Sequence, residues 1–164
     1  MSSEDGKRWI RVSRTIDAPM ARVFAFLACP ANHVRLDTSG MIRSAADASP
    51  IRAMGDVFLM NMHNEIMGDH QVENHVVVYE REHAIGWAPA EPGQPPAGHT
   101  FVWELAADGD QRTRVSQTYD WSAFTHLDML DYLPVVDETQ LRSSLDKLAD
   151  ALGCSGRSQT DDPG

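Results

Sequence analysis

Apolar positions along this 164-residue chain recur at two periods, and the period changes where the elements change. Residues 8–15 alternate: Trp9 and Val12 are interleaved with Arg8, Arg11, Ser13 and Arg14. The β-branched content of this stretch favours a strand. Met20, Val23, Phe24 and Leu27 then follow at three- and four-residue spacing, which makes one apolar helical face. Pro19 suits the first helical turn, and Asp17 puts a carboxylate near the positive end of the helix dipole. Pro30 stops this helix. A second short helical stretch is expected over 31–36, ending near Asp37-Thr-Ser-Gly.

From there to residue 121 the period is two. Strands are expected over 41–46, 57–66, 70–80, 84–88, about 100–105 and 113–121. In the second, Phe58, Met60, Met62, Asn64 and Ile66 share the inward face, leaving Val57, Leu59, Asn61, His63 and Glu65 outside. Gly68-Asp69 reads as the turn, and the next strand points His70, Val72, Asn74, Val76 and Val78 inward. Residues 89–98 carry four prolines and two glycines, so they are expected as a loop. Phe101, Trp103 and Leu105 share a face, as do Val115, Gln117, Tyr119 and Trp121. A hairpin turn at Asp108-Gly-Asp joins these two strands. After an irregular stretch over 122–134, the helical period returns. Asp137 is a candidate N-cap with Gln140 three residues on. Leu141, Leu145, Leu148, Ala149 and Leu152 form the stripe, and Gly153 stands where such a helix ends.

This order predicts an α+β fold: a curved antiparallel sheet of six or seven strands wrapped round a long C-terminal helix, with one or two short helices after the first strand. One domain spans 8–153, with tails at 1–7 and 154–164. A sheet that grips a helix can leave a pocket between them.

Composition narrows the partners. A formal charge of −10 disfavours nucleic acid and anionic membrane surfaces. No apolar run approaches 18 residues, and the polar start excludes a signal peptide. Cys29 and Cys154 lack metal or redox spacing and read as reduced thiols of a cytoplasmic protein. His70 and His75 fall on opposite faces of a strand, so they cannot share an ion. His63-Asn-Glu has the look of a deaminase motif, but no Pro-Cys-x-x-Cys follows. No metal and no cofactor are expected. No Gly-x-Ser-x-Gly elbow or phosphate loop is present.

The segments IDAPMARVFAFL at 16–27, HVRLDTSG at 33–40, FLMNM at 58–62, NHVVVYE at 74–80, IGW at 85–87, WEL at 103–105 and TYDWS at 118–122 occur in one order. In that order they resemble the SRPBCC superfamily, also called START-like or helix-grip, in its polyketide cyclase/dehydrase and lipid-transport branch. The resemblance covers about 9–152. It implies a hydrophobic pocket under the terminal helix that binds sterols, lipids, polyketides or other apolar molecules. In some members it implies cyclisation or dehydration.

On this phasing the candidate ligand-binding residues are Asp37, Met60, Met62, Asn64, Asn74, Trp87, Trp103 and Tyr119. The methionines suit irregular apolar shapes, and the aromatics offer flat surfaces, though core packing explains both equally. Two inward amides, Asn64 and Asn74, require partners. Asp37 stands four residues after His33, so it can pair with it, cap the helix end or face the pocket mouth. The expected function is binding of an apolar small molecule or lipid. The alternative is a cyclase or dehydratase using His63 or His75 as proton carrier, which this phasing turns outward. A third possibility is an interaction module with a solid interior. The 89–98 loop and the 124–134 stretch are candidate gates, and a homodimer is possible.

Overall fold

The computed structural model describes residues 8–46, 49–65, 67–125 and 136–152. The expected tails, Ile66, most of the second candidate gate, Gly153 and Cys154 lie outside them.

Among the described residues seven strands form one antiparallel sheet: β1 (Trp9–Ile16), β2 (Ile42–Ala45), β3 (Val57–Asn64), β4 (Gly68–Glu80), β5 (Ala84–Ala90), β6 (Thr100–Ala107) and β7 (Thr113–Asp120). Their spatial order is β1-β7-β6-β5-β4-β3-β2. Sequential strands from β2 to β7 are therefore neighbours, and only β1 pairs across the length of the chain. Three α-helices among the described residues complete the fold: α1 (Met20–Leu27), α2 (His33–Leu36) and α3 (Glu138–Ala151). A 3₁₀ turn, Pro30–Asn32, leads into α2.

Two helices link the edges of the sheet across one face. Helix α3 packs on β1 and β7 at one edge, while α2 packs on both α3 and β2 at the other. Leu141, Leu145, Leu148 and Ala149 are all buried, so the four-residue stripe is what holds α3 down. Its N-terminus is a full capping box. The Asp137 carboxylate accepts from the Gln140 backbone N–H at 2.8 Å, and the Gln140 side chain accepts from the Asp137 N–H at 2.9 Å.

The alternating phases hold with four corrections. The turn after β3 lies at Glu65 and Met67 rather than at Gly68-Asp69. Asn64 Oδ1 accepts from the Met67 N–H at 2.6 Å, and Gly68 at φ +67 begins β4 opposite Asn64. The inward set of β4 ends at Val76, because a bulge between Val76 and Val78 shifts the phase. Tyr79 rather than Val78 then packs on the core, edge-on to Phe24. The expected loop at 89 begins two residues later, since Pro89 and Ala90 belong to β5. Strand β5 pairs with β6 only as far as Trp87, so Pro89 faces a ladder on the β4 side alone, where a missing N–H is tolerated. Last, Pro19 is the N-cap residue of α1, just outside the helix.

Candidate functional site

Between the sheet and the α2–α3 layer lies a cavity of about 280 Å³, partly open to solvent. Strands β3 to β6 supply its floor: Met60 and Met62, then Val72 and Asn74, then Trp87 and Pro89, then Phe101 and Trp103. Leu141 and Ser144 of α3 and residues 36–39 form the opposite wall.

Seven of the eight candidate residues line this space: Asp37, Met60, Met62, Asn64, Asn74, Trp87 and Trp103. Tyr119 does not. It is fully buried behind Phe101, its ring stacked 4.5 Å away and 9° from parallel. Its inward phase was read correctly, but Phe101 stands in front of it.

Asp37 is committed to the chain. One carboxylate oxygen accepts from the Ser39 N–H at 3.0 Å and the Ser39 hydroxyl at 2.5 Å. The other accepts from the N–H groups of Gly40 at 2.8 Å and Ile42 at 3.3 Å. It folds the turn that brings Thr38, Ser39 and Met41 to the cavity. It does not pair with His33. Asn64 likewise serves its turn through Met67 while standing at the cavity wall. Asn74 is buried at 7% exposure and lines the cavity.

Two further polar residues, His33 and Gln117, were not among the candidates. His33 is buried against Trp87, Phe58 and Leu27. One ring nitrogen, Nε2, stands 2.7 Å from the Leu27 carbonyl and must donate, since a carbonyl only accepts. The neutral ring then carries its lone pair on Nδ1. Burial drives its pKa down from 6.5 to about 4, against a smaller upward pull from the Leu27 bond. Trp103 and Gln117 stand directly opposite each other on β6 and β7. Both line the cavity, at 2% and 6% exposure. Trp103 Nε1 and Gln117 Oε1 have no hydrogen-bond partner among the described residues. Each such orphan costs about 1–3 kcal/mol. A signal for Gln117 was present in the sequence: it is the one polar side chain in the row Val115, Gln117, Tyr119, Trp121.

His63 and His75 lie off this cavity, as their outward phase requires. His63 Nδ1 meets Asp69 at 2.8 Å near the surface, and His75 approaches Glu73 at 3.9 Å. Among the described residues no group of three His, Cys, Asp or Glu side chains is placed to hold a metal ion. None of the described helices is long and apolar enough to cross a membrane.

The architecture is that of an α+β domain with a cavity beneath its C-terminal helix, and comparisons with known proteins agree on the fold. No family model matches the chain. An uncharacterised protein of Mycobacterium tuberculosis, Rv0088, is 29% identical over 116 residues, covering 69% of this chain and 48% of that protein. The chain thus spans about half the length of the curated relatives it matches. Among solved structures, protein CV1439 from Chromobacterium violaceum superposes with a TM-score of 0.63 at 15% identity, covering 88% of this chain and 96% of that one. Protein Ms6760 from Mycobacterium smegmatis gives 0.60 at 14% identity over 90% and 92%. The Aha1 dimer from Colwellia psychrerythraea gives 0.58 at 17% identity over 88% and 95%.

Proposed function

We propose that this chain binds an apolar small molecule in the cavity under α3, as a cytoplasmic SRPBCC-type, helix-grip protein. The observation that carries this reading is the cavity itself. A domain folded only for stability fills such a space with side chains. Here aromatic rings and methionines surround an opening with a few buried polar groups among them, the usual make-up of a ligand site. Its volume sits near the low end of the roughly 300–1,000 Å³ of small-molecule sites, which favours a compact ligand over a two-chain lipid.

A second reading, a cyclase or dehydratase in the same cavity, draws on His33. A neutral imidazole with an uncommitted nitrogen at the wall of an apolar cavity can take a proton, although burial, which lowers its pKa to about 4, makes it a weak base at neutral pH. His33 takes the place given to His63 or His75 in the sequence reading.

Native mass spectrometry of the purified chain, followed by denaturing extraction, tests the first reading. A co-purified apolar species whose mass equals the native shift supports it. An apo mass, together with failure of hydrophobic probes to bind at millimolar concentration, overturns it.

A further inference from the structure

Deepening the binding function proposed above, and resting on it, we infer that Trp103 and Gln117 form the polar subsite of the cavity and take an uncharged group that accepts and donates at once: a hydroxyl or a carboxamide. Three observations carry this. The two side chains are cross-strand partners on the cavity face, and their orphan atoms have almost no exposed surface, so a group that meets both enters as the Gln117 amide turns toward the cavity. Their unpaired atoms are of opposite kind. Indole Nε1 only donates, and Oε1 only accepts. A hydroxyl satisfies both, with its oxygen taking the indole proton and its own proton going to the amide. A hydrocarbon satisfies neither.

Charge decides the remaining choice. Among the described residues the cavity wall contains no Lys or Arg, and its single carboxylate, Asp37, is occupied by backbone N–H groups. The wall's only basic groups among the described residues are the imidazoles of His33, His70 and His99. A carboxylate or phosphate entering this space loses its water and gains no permanent cation, which costs far more than a neutral group would. The site therefore selects against anions of the same shape.

Three probes of matched shape separate the outcomes: 2-naphthol, 2-methylnaphthalene and 2-naphthoate, titrated at pH 7.5 into the full chain. Affinities come from calorimetry. The indole N–H resonances of the four tryptophans are followed by ¹⁵N NMR, with Trp103→Phe assigning that peak. Naphthol is expected to bind about ten-fold more tightly than methylnaphthalene, the scale of an unmatched buried hydrogen-bonding site, and to shift the Trp103 peak downfield. Naphthoate is expected to bind more weakly than naphthol. In Gln117→Leu, naphthol and methylnaphthalene converge, while a cooperative urea transition and an unchanged far-ultraviolet circular dichroism spectrum show that the variant folds. Equal binding of naphthol and methylnaphthalene to the wild type overturns the subsite and leaves the cavity's binding function standing. Tighter binding of naphthoate overturns the neutral class. Failure of all three to bind overturns the binding function along with it.

Discussion

The His33 ring lies 4.5 Å from the Trp87 ring and only 15° from parallel. This contact joins the first turn of α2 to the middle of β5, at one end of the cavity. It keeps the imidazole out of water, and the unfolded chain does not. The unfolded chain therefore protonates this ring near 6.5, the folded chain only near 4. Protons favour the unfolded state between those values. The stability that depends on the neutral ring is whole above pH 6.5 and is lost as the pH falls towards 4. In His33→Gln, which keeps a donor for the Leu27 carbonyl, this dependence disappears. Denaturant unfolding at pH 7 and pH 5 should show the wild type losing about 2 kcal/mol more than the variant. Parallel losses would refute the burial argument.

Asp37 separates a folding role from a ligand role. Its four accepted hydrogen bonds close the 37–42 turn. Asp37→Ala should cost about 2 kcal/mol, since bonds to a charged acceptor are the stronger kind and this one is only half-buried. For a domain of this size that lowers Tm by about 4–8 °C, measurable by calorimetry without any ligand. An unchanged Tm would return Asp37 to the pool of ligand-facing groups.

Period and punctuation made most of this fold legible. The two-residue alternation of β3, β6 and β7 and the stripe of α3 are local signals, and each put its residues on the correct face. What was missed depends on neighbours. The bulge at Val77 exists because β5 pairs out of step with β4, which no pattern within residues 70–80 records. Pro89 reads as a loop residue until one sees that β6 has already left β5 at that point. The site follows the same rule. Facing direction was visible for Met60, Asn74 and Trp103. Depth was not, so Tyr119 was taken as wall when Phe101 covers it. His33 needed α2 folded over Trp87 before it could be seen at all.

Gly98 is where the backbone leaves least room. Its φ is +116, and a Cβ there would stand 2.0 Å from the Ala123 carbonyl oxygen. Beside it, the Ala97 carbonyl accepts from the Thr125 N–H at 2.7 Å and hydroxyl at 3.0 Å, so the two segments cannot separate cheaply. Gly98→Ala should destabilise by about 3 kcal/mol or more, from overpacking added to backbone strain. Gly93 at φ +79 has nothing within 4 Å, so Gly93→Ala carries the backbone strain alone, about 1 kcal/mol. Equal costs in chemical denaturation would place the strain in φ and not in the contact.

Ser144 tests what holds the cavity closed on its helical side. Its hydroxyl donates to the Leu36 carbonyl at 2.7 Å, both buried, where α3 crosses the end of α2. Around it Thr38 donates to the Gln140 carbonyl at 3.0 Å, and Lys147 to the Asp37 carbonyl at 3.0 Å. The outer two bonds are wetter, so water can replace them at little cost. The Leu36 carbonyl has no such substitute. Ser144→Ala removes the donor without adding bulk, and the stranded carbonyl should cost about 1–3 kcal/mol. Because the loss falls at one crossing, hydrogen exchange should rise first at the amides of residues 36–42 and the first two turns of α3, leaving β7 protected. Lys147→Ala, one turn further on, should change exchange in neither region. A uniform rise across the sheet in Ser144→Ala would mean that the bond supports the whole core and is not a local latch over the cavity.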